Sequence, residues 1–157
     1  MNQLLHVSAS PHIKDRVTTS SIMLDVIIAL IPATLFGIIQ FKINALLIIV
    51  TTITTCVLAE YLYERFMKKT ITIKDLSAVV TGLILALNLP STVPLWLPVI
   101  GGLFAIIVVK QFYGGLGQNF MNPALAARCF LLISFTGRMT NFVFDGMTSS
   151  TPLDRKS

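Results

Sequence analysis

Charge is scarce in this sequence. Of its 157 residues only 12% are Asp, Glu, Lys or Arg, about half the share that soluble domains carry. Hydrophobic residues make up 54% and the mean hydropathy is +0.80. So little charge cannot solvate the surface of a soluble fold, and lipid is the solvent that suits such a chain. Cysteine and histidine are equally sparse, at two each. Cys56 and Cys129 sit inside apolar stretches without CxxC or Cys/His spacing, which argues against a disulfide framework or a zinc site and for buried structural thiols. His6 and His12 belong to a polar leader and read as solvated, so no metal ligand is assigned. The net charge of +5 comes from basic residues placed singly or in pairs at the ends of apolar runs. That is a topology signal, and it excludes the dense basic stripe of a nucleic-acid binder. The leader, residues 1–20, has neither the apolar core nor the small-residue cleavage site of a signal peptide, so it is expected to stay attached.

What remains is a series of apolar runs of membrane-helix length. Residues 21–41 and 44–63 each have about the 20 residues a helix needs to cross some 30 Å of hydrocarbon. Pro32 and Gly37 mark places for a kink in the first, and Tyr61 and Tyr63 the interfacial end of the second. Residues 76–89 form a third segment, short enough to be either a span or a re-entrant half-helix. Residues 94–113 form a fourth, with Trp96 and Tyr113 at interfacial depths. After the turn Gly114-Gly115-Leu116-Gly117, a fifth runs over 122–136, opened by Asn122 as cap and Pro123 at the first helical position. The predicted fold is therefore an all-α membrane protein with about five transmembrane helices, followed by a polar loop over 137–157.

Arg65, Lys68, Lys69 and Lys74 cluster in the link after the second run, whereas the first link offers only Lys42. The positive-inside rule then puts the longer link and the N-terminus in the cytoplasm. Five crossings leave the tail outside it; a third segment that merely dips in would bring the tail back.

Ionisable residues within apolar runs are functional candidates by default. Here they are Asp25, Glu60, Lys110 and Arg128. Asp25 and Glu60 are candidates for an ion path, although all four stand near enough to a helix end to serve as interfacial anchors, or in the case of Arg128 to snorkel. A single Asn122-Pro123-Ala124 argues against a water channel of the kind in which two half-helices meet at mid-membrane. The glycine turn follows an apolar helix and not a strand, so it is no nucleotide-binding fingerprint.

Several short motifs then occur in order along nearly the whole chain: Ser10-Pro11-His12, Ile22-Met23 with Asp25-Val26, Ala29-Leu30-Ile31-Pro32, Thr81-Gly82, Leu89-Pro90, Lys110-Gln111 with Tyr113-Gly114-Gly115-Leu116-Gly117, and Asn119 with Asn122-Pro123-Ala124. Together they resemble the D subunits of Rnf electron-transport complexes and their relatives, the B subunits of sodium-translocating NADH:quinone reductases. The resemblance implies an FMN joined through a phosphoester to a threonine near the end of the tail. Ser149-Ser150-Thr151-Pro152-Leu153 fits that pattern with Thr151 as acceptor; Thr148 is the rival, and Ser150 stands where the family often has alanine. It also implies a flavin transferase for maturation, partner subunits in a prokaryotic inner (plasma) membrane, and electron relay from ferredoxin to NAD coupled to sodium or proton movement. Catalysis then belongs to the complex and no catalytic residue is assigned to this chain. A riboflavin is a further cofactor of the family, for which Asn119 and Asn122 are pocket candidates beside their plainer use as turn and cap. The family pattern has a second hydrophobic half, so an N-terminal portion of a longer subunit is expected. The competing readings are a non-redox transporter or channel half, and a membrane scaffold.

Overall fold

The computed structural model describes residues 18–69, 72–115, 117–144 and 147–149, with side chains through Asn141. Its first element, α1, is Thr19–Phe66, 48 residues, or about 70 Å if straight. It is not straight. Lys42 has φ 53° and ψ −132°, a backbone region that costs a non-glycine residue on the order of 1–3 kcal/mol and reverses the chain. The Ser20 hydroxyl donates to the Lys74 carbonyl at 3.1 Å, and Thr19 and Glu64 line one cavity. The arms before and after Lys42 therefore run back along each other. The break avoids both Pro32 and Gly37, where the helix continues unbroken. Proline removes a single N–H, and in apolar surroundings the helix is still the only way to pair the other backbone groups.

Threonines are abundant in the second arm, and three of the four cost little there because they return their hydroxyls to the helix. Thr51, Thr52 and Thr55 donate to the carbonyls of Leu47, Ile48 and Thr51 at 2.6–2.7 Å, which satisfies them without water. A 3-10 turn, Ile73–Asp75, leads into α2, Ser77–Leu87. Next comes α3, Trp96–Leu103, which runs directly into a π-helix, Phe104–Gln111. Finally α4, Pro123–Ser134, starts on Asn122, whose side chain accepts from the Ala124 N–H at 2.9 Å.

Contacts at the two ends order these helices. Thr19, Glu64, Asp75, Gln111 and Gly114 share a cavity at one end. At the other, Arg128 donates to Asn88 at 2.9 Å and Thr92 to the Asn141 carbonyl at 2.7 Å. The two arms of α1, then α2, α3 with its π extension, and α4 thus traverse the bundle alternately, and Asn141 lies at the end opposite Thr19.

Small residues let these helices approach. A Cβ on Gly82 would lie 2.9 Å from the Ile53 Cα, and one on Gly102 3.3 Å from the Cys56 sulfur. Leu85, Leu97, Ala105, Ala124, Ala127 and Leu131 fill the core between them. The outer surface is apolar: Phe36 is 69% and Ile39 76% exposed on the first arm, as befits a chain whose solvent is hydrocarbon. Among the described residues only α1 is long and apolar enough to cross a membrane by those two criteria. The 11 residues of α2 reach about 16 Å.

The tail departs from the predicted polar loop and the all-α expectation. After a helical turn, α5 at Thr136–Met139, come two strands, β1 at Phe142–Phe144 and β2 at Met147–Ser149. They pair antiparallel with Phe142 opposite Ser149 and Val143 opposite Thr148. Phe-Val-Phe is strand-prone by its β-branched and aromatic residues, a preference that the many hydroxyl and glycine residues of the tail mask.

Replacing Gly82 by Val drives a side chain into the backbone of the second arm. It is expected to cost about 1–3 kcal/mol or more, read as a lower thermal unfolding midpoint in detergent. Gly137→Ala, with open space around it, should stay within about 0.5 kcal/mol of wild type.

Candidate functional site: a buried ion pair

Glu60 and Glu64 lie in the last two turns of α1 and are 0% and 2% exposed. Carboxylates are disfavoured at a helix C-terminus by its partial negative charge and are costly to bury, so each needs a specific partner. Glu64 accepts from the Thr72 backbone N–H at 3.0 Å and from the Thr72 hydroxyl, which pins the basic link beneath the bundle. Glu60 forms a salt bridge with Lys110, itself 2% exposed.

Lys110 reaches Glu60 because of the π-helix. Its wider turn closes through i to i+5 hydrogen bonds, such as Phe112 N–H to Ile107 C=O at 3.1 Å. Neighbouring residues then crowd onto one side, and both Lys110 and Gln111 face the second arm. The Lys110 ammonium also donates to the Ser77 hydroxyl at 2.6 Å, and the Gln111 amide donates to Glu60 Oε1 at 3.4 Å. Four groups from α1, α2 and the π-helix thus meet at one point in the apolar body. Both Glu60 and Lys110 are buried within the bundle.

Cavities adjoin Lys110 and Gln111. Lys110 and Ser77 line a mostly apolar one of about 130 Å³ together with Met23, Thr81, Asn119 and Asn122. Gln111 lines an end cavity of about 410 Å³ with Glu64, Asp75, Lys69 and Thr72. Asn119 and Asn122, the flavin-pocket candidates, therefore share the cavity that Lys110 enters. Their side chains are also used locally, Asn122 as the α4 cap and Asn119 in a 3.2 Å bond to the Met121 carbonyl.

Asp25 stands apart. It is exposed on the first arm, about 9 Å into α1, and the structure does not bring it to Glu60. Arg128 is held by Asn88. Cys56 is buried one turn before Glu60, but Cys129 is exposed, contrary to the expectation of two buried thiols. Among the described residues no cluster of His, Cys, Asp and Glu could hold a metal. Thr151 lies outside the described residues; Thr148 lies within β2.

The sequence alone did not pair Lys110 with Glu60, though a signal for the pairing exists in it. Glu60 is three residues before the end of the second apolar run and Lys110 three before the end of the fourth. Runs two apart in an alternating bundle end on the same side, which puts the opposite charges at one depth.

Helices of alternating direction, an apolar exterior and a buried charge pair inside it define a membrane protein whose buried polar groups serve a function or a fixed packing. The sequence profile of the NQR2, RnfD, RnfE family matches residues 6–157, and the chain belongs to that family. It is 49% identical over 158 residues to the D subunit of the Na(+)-translocating ferredoxin:NAD(+) oxidoreductase complex of Acetobacterium woodii, covering 98% of this chain and 50% of that one. It is 41% identical over 153 residues to the D subunit of the proton-translocating ferredoxin:NAD(+) oxidoreductase complex of Clostridium ljungdahlii, with 94% and 46% covered. The D subunit of an ion-translocating oxidoreductase complex from Shewanella piezotolerans is 38% identical over 150 residues, with 94% and 43% covered. The chain spans about half the length of the curated relatives it matches.

Removing one charge of the pair strands the other. Glu60→Leu and Lys110→Met are each expected to cost about 3–5 kcal/mol, while the double substitution recovers most of that loss. Thermal unfolding of the four proteins in detergent, analysed as a double-mutant cycle, measures the coupling.

Proposed function

We propose that this chain forms part of a flavin-carrying membrane subunit of an ion-translocating ferredoxin:NAD oxidoreductase complex. In this reading it relays electrons through an FMN on Thr151 and is coupled to sodium or proton movement. The observation that carries the reading is the family match over residues 6–157, which extends across Ser149-Ser150-Thr151-Pro152-Leu153. Relatives at 49% and 41% identity are named as the D subunits of such complexes. Thr151 is preferred over Thr148 on physical grounds. Thr148 is paired with Val143 inside the two-stranded ladder, whereas Thr151 is two residues beyond the last ladder residue, just ahead of a proline that favours an extended backbone. A flavin transferase needs a hydroxyl that is not engaged in strand pairing. The phosphoester then tethers a ring whose redox chemistry is its own, the protein supplying position and electrostatics.

In the membrane the bundle is read with its Thr19 end in the cytoplasm, because the link at that end holds Arg65, Lys68, Lys69 and Lys74 while the reversal at the other end holds only Lys42. Five alternating traverses then bring the hairpin and Thr151 to the extracytoplasmic side of a prokaryotic plasma membrane. The short α2, buried along most of its length, and the short α4 are helices of the kind that ion-translocating proteins place around a site. Glu60 is the residue proposed for the ion path. Asn119 and Asn122 are proposed for a riboflavin, whose ring would need the 130 Å³ cavity to open. Further subunits and lipid cover the apolar exterior.

The test is flavin fluorescence in a denaturing gel, with intact mass, on protein co-produced with the flavin transferase. Wild type and Thr148→Ala are expected to carry an FMN-sized mass and Thr151→Ala to lose it. Absence of covalent flavin in wild type, with a working transferase on a control protein, overturns the redox-carrier reading in favour of a transporter half. In the assembled complex, Glu60→Gln is expected to reduce ion movement driven by electron transfer at least tenfold, and Asp25→Asn less than twofold.

A further inference from the structure

The outward side of the first arm of α1 is made of two different surfaces. One flank, Leu24, Ile28, Ile31 and Leu35, is aliphatic and 45–54% exposed, as suits a boundary with lipid tails. The flank beside it is polar and small. At a spacing of four residues it carries Asp25, Ala29 and Ala33, all exposed, and then Gly37, with Gln40 exposed two turns beyond Ala33. Lipid gives no reason to set such side chains at its boundary. Contact between membrane helices does, because it depends on small residues that let backbones approach and on polar groups that find partners.

Gly37 supports the second use. Neighbouring helices lie against Gly82 and Gly102, but a Cβ on Gly37 would meet nothing within 4 Å. A glycine inside a helix costs order in the folded backbone, and no described residue takes up the space it leaves. That space adjoins an apolar cavity of about 200 Å³, which Gly37 lines with Phe41, Ala45 and Ala86.

Asp25 supplies the charge that the occupant must answer. The arm from Thr19 to Lys42 is about 34 Å long, a little more than the hydrocarbon layer, and Asp25 is about 9 Å along it. A carboxylate at that depth calls for a cation. The salt bridge among the described residues is that of Lys110 with Glu60, so none of their cations meets Asp25. A second copy of this chain is a poor occupant, because a parallel pair would set two Asp25 carboxylates against each other.

We propose that this flank is the docking site for a transmembrane helix of a neighbouring subunit. That helix carries a lysine or arginine at the depth of Asp25 and lies close over Ala29, Ala33 and Gly37. The inference rests on the reading of the chain as part of a complex, as its relatives named as D subunits suggest. It divides the exterior of the first arm into a side for protein and a side for lipid.

The experiment places a small photo-reactive diazirine amino acid at Ala29 or at Ile31 in the complete complex in its membrane. Mass spectrometry after irradiation is expected to find another subunit joined at position 29 and lipid at position 31. The second readout is how much of that subunit is retained when the complex is purified through this chain. Asp25→Leu and Ala33→Phe are each expected to lower retention about fivefold or more. Asp25→Asn, which keeps an acceptor for the cation, is expected to lose less, and Leu35→Phe on the lipid flank nothing. Asp25→Lys combined with an acidic residue in place of the partner's cation is expected to restore retention. If Ala33→Phe fails to insert, the cross-link at position 29 remains decisive. Cross-links at position 29 to lipid or to this chain alone, or unchanged retention in Asp25→Leu, overturn the docking site and leave the complex reading standing. A wild-type chain that purifies with no other subunit overturns the complex reading beneath it.

Discussion

The contact between Glu60 and Lys110 constrains more of this structure than any other. A carboxylate buried in the penultimate turn of a helix opposes both desolvation and the helix's own dipole. It is tolerable only with a cation beside it, and that cation must come from another element. Supplying it fixes the depth of the fourth traverse against the second. Lys110 then draws in Ser77, which sets where α2 begins beneath the end of the bundle. The π-helix follows from the same requirement: an α-helix places adjacent residues about 100° apart, and the wider turn lets Lys110 and Gln111 serve one carboxylate together.

That arrangement also accounts for the polar side chains that reach the cavity beside Lys110. The helices around the pair are short, so polar turns at their ends come within reach of the interior: Ser77 at the start of α2, Asn119 and Asn122 ahead of α4. At two glycines the helices touch closely. Gly82 meets the backbone at Ile53 and Gly102 meets Cys56, so a larger side chain at either position would push the second arm away from α2 or α3.

Much of this is legible in the chain, for reasons that differ by residue. The apolar runs reveal themselves because hydrocarbon demands continuous apolar length. Asn122 and Pro123 announce the start of α4, since capping is a local matter of which side chain meets the first N–H groups. Lys42 as the place of reversal is half-legible: it is the one charge between two long apolar runs, yet nothing in its identity indicates a positive φ, and Pro32 is the more obvious suspect. The hairpin at 142–149 is hidden by a composition that favours turns. The π-helix has no signal, because its register depends on what lies opposite.

By itself the sequence determined the solvent this protein needs, the approximate position of each helix, and its family, because composition, run length and ordered motifs are properties of the chain alone. The tertiary structure decided which buried charges meet. Glu60 and Lys110 are 50 residues apart, and each alone was as well suited to an interface with water as to the interior. Only the alternation of the helices, their close approach at glycines and the π register bring the two to one depth and one face. With Asp25 left outside and Ser77 and Gln111 drawn in, that placement turns separate polar residues into a single site.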